Sequence, residues 1–144
     1  MPRLDKTILI NAPVKKVYEI LDDFMIMPRW NIVVQEISEL EKDKYFLKTN
    51  VGDVTNIVVE NVPNEKMTSV QEGSPMDEIG YIFNPQGDDV EVTLWATFEL
   101  EDQRSVLDIA ADLFLKSLKV YVDYISAGGD PESYVKKFSK IKKA

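Results

Sequence analysis

Two hydroxyl side chains, Thr49 and Tyr81, lie on the apolar sides of predicted strands and are the residues best placed for polar chemistry. Thr49 alternates with Leu47, and Tyr81 alternates with Phe83, so each pair faces one side of its strand. A hydroxyl on an apolar face needs a hydrogen-bond partner, and a polar group of a bound ligand can be that partner. Both hydroxyls are therefore candidates for contact with a ligand.

Histidine and cysteine are both absent from the 144 residues, which excludes several reaction classes. The chain has no disulfide, thiol nucleophile, Cys/His zinc site, Ser-His-Asp triad or imidazole base. Catalysis would have to rest on Asp, Glu, Lys, Tyr or Arg, and a metal site on oxygen ligands alone. The adjacent Asp22 and Asp23 are better explained by helix capping, because neighbouring residues on a helix point apart. We predict no metal and no cofactor, and catalytic residues remain unassigned.

The net charge of -8 argues against nucleic acid as a partner, because neutralising phosphates requires a basic surface. No run reaches the roughly 18 uncharged residues of a membrane span, and no N-terminal stretch resembles a signal peptide. These features predict a cytoplasmic protein. Positive charge is concentrated at the C-terminus, where five lysines fall in the last nine residues: Lys136, Lys137, Lys140, Lys142 and Lys143.

Period-two alternation of apolar residues, interrupted by turn signals, predicts seven strands. Turns of two to four residues separate the last six, which is too short for a parallel crossover, so neighbours must be antiparallel. One face of the last strand is apolar and the other mostly polar, as in a sheet covered on one side. The predicted strands are Arg3–Ile10, Ile32–Leu40, Lys44–Val51, Val54–Val62, Lys66–Glu72, Met76–Asn84 and Asp89–Leu100.

Helical spacing of apolar residues predicts the cover of the sheet. A first helix of about ten residues begins at Pro13, with Asn11 or Ala12 at its N-cap, and a second short one runs from Phe24 to Met27. A third of roughly 22 residues is predicted from Arg104 to Ser126, with a broad apolar stripe on one side. Gly128 and Gly129 end it. The long helix is therefore expected to lie across the apolar face.

A short basic helix is predicted at the C-terminus, from about Pro131 to Lys142, because Asp130 and Pro131 supply an N-cap and a first helical residue. Its apolar stripe would be Tyr134, Phe138 and Ile141. It could dock on its own domain, pair with a neighbouring molecule, or contact an anionic membrane through its lysines. Residues 1–128 are thus expected to form one domain, with 129–144 appended to it.

Three signatures follow one another in a characteristic order. The first strand runs into Asn11-Ala12-Pro13, Asp23 is followed by Pro28-Arg29-Trp30, and a long amphipathic helix follows the last strand. Over about residues 3–126 the chain resembles the START-related (SRPBCC) superfamily, which includes polyketide cyclase/dehydrase-like and lipid-transport-like proteins. The resemblance implies an α+β helix-grip fold. In it, a curved antiparallel sheet of about seven strands wraps around the C-terminal helix, with two short helices after strand 1. It supplies no universal catalytic motif.

The helix-grip fold implies a cavity between sheet and long helix, and we expect a volume of a few hundred Å³ beside the Phe114–Tyr121 stretch. For each candidate lining residue the alternative is packing in the hydrophobic core without ligand contact, since an apolar stripe is usually buried in the core. Trp30, after a proline, could wall the mouth or anchor the core. The candidate ligand-binding residues are Trp30, Leu47, Thr49, Ile57, Val59, Tyr81, Phe83, Leu94, Phe114, Leu118 and Tyr121.

Three functions remain open at the level of sequence. The first is binding or carrying a hydrophobic small molecule, such as a lipid, quinone or polyketide-like compound. The second is a cyclase/dehydrase-type enzyme acting on an aromatic or polyketide substrate, and the third is a co-chaperone-like interaction protein with a filled core. A homodimer is also considered, because Trp95 falls on the predicted wet face of its strand. Gly80, inside a strand, marks either a bend or a close approach.

Overall fold

Seven antiparallel strands form one sheet in the computed structural model, which describes residues 2–50 and 52–136. The spatial order is β1-β7-β6-β5-β4-β3-β2, so sequence neighbours pair from β2 to β7 and β1 closes against β7. The predicted antiparallel arrangement is confirmed. The strands are β1 Arg3–Ile10, β2 Val34–Glu41, β3 Lys44–Thr49, β4 Gly52–Val62, β5 Lys66–Glu72, β6 Met76–Gln86 and β7 Asp89–Phe98.

Three α-helices accompany the sheet in the described part of the chain. The first, α1 Val14–Asp22, begins one residue later than predicted, with Pro13 at the N-cap. A 3-10 turn, Phe24–Ile26, leads into α2 Met27–Trp30. The long helix, α3 Arg104–Ser126, lies across the inner face with Leu107, Phe114, Leu118 and Tyr121 buried. The predicted helix-grip architecture is thus confirmed, with its two short helical segments after the first strand.

The inner face of β7 shows why the sheet needs this cover. Every second residue of the strand is apolar and almost inaccessible to solvent, while the residues between them are half-buried. Burying such side chains contributes roughly 1.5–3 kcal/mol each. The N-terminal part of α3 lies beside β1, where the charged atoms of Lys6 and Asp108 are 3.1 Å apart in a partly exposed ion pair. Among the strands, β1 makes the most close backbone contacts with α3.

Of the two aspartates that resemble a carboxylate pair, Asp22 has a structural role. Asp22 accepts a hydrogen bond of 2.8 Å from Asn61, whose own carbonyl accepts from Tyr18 at 2.5 Å. These contacts tie α1 to β4. Asp23 lies at the N-cap of the 3-10 turn without a side-chain capping bond, so the predicted capping by Asp23 is not found.

Gly80 is the site of a close approach on the outer face of the sheet. A Cβ placed there would lie 2.6 Å from the indole ring of Trp95, its cross-strand partner. The Arg3 guanidinium covers the same indole at 4.7 Å from the ring centroid. Trp95 is therefore not a bare surface aromatic, since part of its ring is covered from within the chain.

The C-terminal segment docks on its own domain as far as the structure describes it. Pro131–Ser133 form one 3-10 turn, and residues 134–136 are outside any helix. Tyr134 packs against Tyr121 and Tyr124, with ring centroids 4.9 and 5.0 Å apart. The rest of the predicted helix, including Phe138 and Ile141, lies outside the described residues. The same is true of Val51, the predicted end of a strand.

Within residues 2–50 and 52–136, the helices include no segment that is both long and apolar enough to cross a membrane.

Candidate functional site

A partly open cavity of about 80 Å³ lies between the inner face of the sheet and the N-terminal half of α3. Its floor comes from β2 to β7, and its roof from Leu107, Ala110, Ala111 and Phe114 of α3. Two alanines in this stretch leave space that longer side chains would occupy. The cavity is smaller than the few hundred Å³ expected, and it lies toward Leu107 rather than over Phe114–Tyr121.

The structure brings only part of the predicted site together. Whether the lining residues contact a ligand stays a prediction. The candidates that line the cavity are Leu47, Thr49, Tyr81, Leu94 and Phe114. The candidates outside its wall are Trp30, Ile57, Val59, Phe83, Leu118 and Tyr121.

On strand β4, the residues that face the cavity alternate with the ones that were expected to face it. Leu47 pairs with Val54 across the β3–β4 ladder, which places Val54 and then Asn56 on the inner face. Ile57 therefore points outward. Val59 is 57% exposed, at a bulge that shifts the β4–β5 register between Val58 and Glu60. The prediction that Ile57 and Val59 line the cavity is wrong, because apolar residues occupy both parities of this strand.

The other absent candidates are core residues. Trp30 is 1% exposed, stacks on Tyr121 at 6.3 Å and meets the edge of Phe114 at 5.4 Å between ring centroids. Leu118 is fully buried on the same side of α3. Phe83 packs against Tyr18 of α1 at 5.9 Å. Among the readings left open for Trp30, the geometry is that of a core anchor that fills the space beside the cavity.

Four polar residues in the wall were missed by the sequence interpretation: Asn56, Ser69, Gln71 and Ser74. The first three lie together on β4 and β5. Asn56 and Gln71 are direct cross-strand partners, and Ser69 precedes Gln71 by two, so all three share the inner face. Period-two alternation indicates this face, because Met67, Ser69 and Gln71 alternate along β5 and the apolar Met67 is buried. Ser69 and Gln71 are polar, so an interpretation based on apolar side chains leaves them out.

Tyr81 places a hydroxyl against the cavity beneath α3. Its ring stacks on Phe114 with centroids 5.5 Å apart, and the residue is 7% exposed. Burial raises the pKa of Tyr81 well above its ordinary value, because the phenolate would lose its hydration. Among the described residues, the hydroxyl has no hydrogen-bond partner within the protein. Tyr81 is therefore a neutral donor available to a ligand.

The second predicted hydroxyl is already engaged by the fold. Thr49 donates a hydrogen bond of 2.5 Å to the backbone carbonyl of Gly52, at the β3–β4 turn. Tyr45, on the same strand, packs against Phe24 at 4.9 Å between ring centroids. Desolvation by burial, followed by the charge of Glu39, raises the pKa of Tyr45. Thr49 thus lines the cavity with its hydroxyl already bonded within the turn. Tyr45 lines it as an uncharged side chain.

Charge is absent from this wall: none of the described residues that line the cavity is Asp, Glu, Lys or Arg. In the same part of the chain, no cluster of three acidic, histidine or cysteine side chains could hold a metal ion. An uncharged, mostly apolar wall disfavours an ionic ligand, because no opposite charge there compensates the loss of hydration. The site is suited to a neutral, mostly apolar molecule.

Comparison with known proteins identifies the fold but gives no close relative. No protein-family model matches the sequence, and no curated protein matches it. Among solved structures, the fold is similar to a START superfamily protein from Mycobacterium smegmatis. The TM-score is 0.75 at 15% identity, covering 85% of this chain and 98% of the other.

Two further solved structures, of two other kinds of protein, have a similar fold. A di-domain ARO/CYC protein, BexL from the BE-7585A biosynthetic pathway, matches with TM-score 0.76 and 19% identity. The match covers 88% of this chain and 48% of BexL. The Aha1 dimer from Colwellia psychrerythraea matches with TM-score 0.72 and 20% identity, covering 85% and 96%. At these identities the likeness establishes the fold alone.

Proposed function

We propose that this chain, which has the helix-grip fold of START-related proteins, binds a neutral hydrophobic small molecule between the sheet and α3. The observation that carries the proposal is the cavity itself, with an apolar, uncharged wall interrupted by a few polar groups. That combination is typical of ligand sites, where apolar area supplies affinity and polar groups fix orientation.

The cavity volume limits the ligand. At about 80 Å³ it holds a small molecule, below the usual range for drug-sized ligands. Met27 and Met76 line it, and their unbranched side chains can change rotamer to admit a larger molecule. A small aromatic of the polyketide-like class fits with the least rearrangement. A lipid or quinone requires the roof and the methionines to move apart.

The test combines identification of a bound molecule with a filled-cavity variant. Native mass spectrometry of the purified protein is expected to show an extractable small molecule, and the emptied protein should bind toluene, with binding followed by amide NMR shifts. Ala110→Leu, at a half-buried wall position, should weaken that binding about tenfold or more by occupying space. Ser105→Leu adds the same side chain at an exposed position of α3 and should leave binding unchanged. Equal binding by both variants would contradict the proposal.

A second candidate function is an enzyme of the cyclase/dehydrase type, and Tyr81 is the observation that favours it. Its buried, protonated hydroxyl faces the cavity and can donate a hydrogen bond to a carbonyl oxygen of a substrate. The two functions separate once the bound molecule is known. A carrier returns the molecule unchanged with or without the hydroxyl of Tyr81. An enzyme converts it, and Tyr81→Phe slows the conversion more than it weakens binding.

Three expectations about context stay predictions: a homodimer, a transient contact of the C-terminal lysines with an anionic membrane, and a cytoplasmic location. The similar Aha1 structure is a dimer, which supports measuring the mass of this chain in solution.

A further inference from the structure

Three of the polar residues in the cavity wall form one cluster in the middle of the sheet. Asn56 on β4 and Gln71 on β5 are cross-strand partners, and Ser69 stands two residues before Gln71 on the same face. Asn56 is 5% exposed and Ser69 7%. Polar side chains at the centre of an otherwise apolar wall lower stability unless their hydrogen bonds are made.

The cluster satisfies part of its own hydrogen-bonding capacity. Asn56 donates through Nδ2 to Ser69 Oγ at 3.0 Å and accepts at Oδ1 from Gln71 Nε2, also at 3.0 Å. Asn56 is therefore engaged at both ends of its amide. Gln71 Oε1, however, is buried and accepts no hydrogen bond within the described part of the chain. Ser69 accepts from Asn56, but no described residue accepts a bond from the Ser69 hydroxyl.

We infer that the cluster recognises a hydroxyl group on the ligand, and that the ligand class is therefore a small phenol or alcohol rather than a hydrocarbon. A hydroxyl can accept from Ser69 Oγ and, once a small movement of the Gln71 side chain turns its buried Oε1 toward the cavity, donate to that atom, whereas a ketone lacks the donor. The uncharged wall excludes a carboxylate or ammonium in the same position, because no opposite charge would compensate its desolvation. This inference rests on the proposed function and adds the polar group by which the ligand is oriented.

The test uses phenol and toluene, which have the same number of non-hydrogen atoms and differ in the hydroxyl. Both are titrated into the wild-type protein and into Gln71→Leu, with binding followed by amide NMR shifts. Because an apolar wall alone favours toluene, the quantity measured is the dissociation constant for toluene divided by that for phenol. We expect this ratio to be roughly fivefold higher in the wild type than in Gln71→Leu, the effect of one net hydrogen bond.

Two further variants complete the experiment. Gln86→Leu removes an exposed glutamine at the end of β6 and should keep the wild-type ratio. Ser69→Ala, a smaller change, should also lower the ratio and decides the question if Gln71→Leu does not fold. If both molecules bind but no cluster variant changes the ratio, the hydroxyl inference is overturned and binding in the cavity stands. If neither molecule binds the wild type, the proposed function fails together with the inference.

Discussion

The two halves of α3 cover the same sheet but produce opposite results. In the C-terminal half Tyr121 stacks on Trp30, whose ring also meets Phe114 edge-on, and Leu118 is fully buried. The N-terminal half presents Ala110 and Ala111, and a cavity remains beneath it. Both halves have an apolar inner face. The difference lies in side-chain volume, since close packing leaves space only where large residues are missing.

Truncating one leucine in each half of α3 should give the largest difference in the free energy of unfolding between the two halves. Leu107 and Leu118 are 1% and 0% exposed on the same helix, but only Leu107 borders the cavity. We expect Leu118→Ala to lower the free energy of unfolding by about 4 kcal/mol and Leu107→Ala by about 2 kcal/mol. A side chain beside an existing cavity has fewer contacts to lose. Urea denaturation measures both, and equal losses would mean that the two halves are packed alike.

The filled half should also lose stability when its outer ring is removed. Tyr134 contacts Tyr121 and Tyr124, and burial raises the pKa of Tyr134. Tyr134→Ala should lower the free energy of unfolding by about 1–2 kcal/mol. The neighbouring Val135 is exposed, so Val135→Ala is the matched control and should change stability by less than about 0.5 kcal/mol. Similar values for the two variants would show that the segment does not stabilise the domain.

The smallest effect concerns Tyr81, which stacks on Phe114 where the two halves meet. Burial raises the pKa of Tyr81, so the folded state keeps a proton that the unfolded state loses above pH 10.0. Its contribution to stability is complete below that pH and declines as pH rises further, by up to about 1.4 kcal/mol per pH unit. Tyr81→Phe should therefore show a shallower loss of stability between about pH 9 and about pH 11. Unfolding curves across this range test it, and parallel slopes would argue against a buried phenol.

The sequence was sufficient for the architecture because periodicity and turn residues are local signals. The strand boundaries agree within a few residues, and the short turns required antiparallel neighbours. The start of β2 was placed two residues early, because Ile32 and Val33 are apolar but belong to the connection from α2. In the described part of the predicted C-terminal helix, Tyr134 is not helical, and its ring packs against Tyr121.

The candidate site was predicted less well because it depends on pairing and volume. Leu47, Leu94 and Phe114 follow from alternation and helical spacing. Asn56 requires the β3–β4 register, which turn residues only suggest. Trp30 shows the limit of composition, since the same aromatic could wall a cavity or fill one. Its contacts with two α3 rings decide the matter, and they join residues more than 80 positions apart.

The pairing of β1 with β7 has a consequence for how the chain reaches this structure. Arg3 lies opposite Thr97, so the first strand pairs with β7 only after nearly a hundred residues have been synthesised. Until then its backbone donors and acceptors lack their partner, while β2 to β6 can already form hairpins in sequence. Loop-closure entropy makes such distant pairing slow. The pairing of β1 with β7 is thus a slow, late step of folding. In a ribosome-stalled chain that ends before β7, we expect β1 to be accessible to proteases.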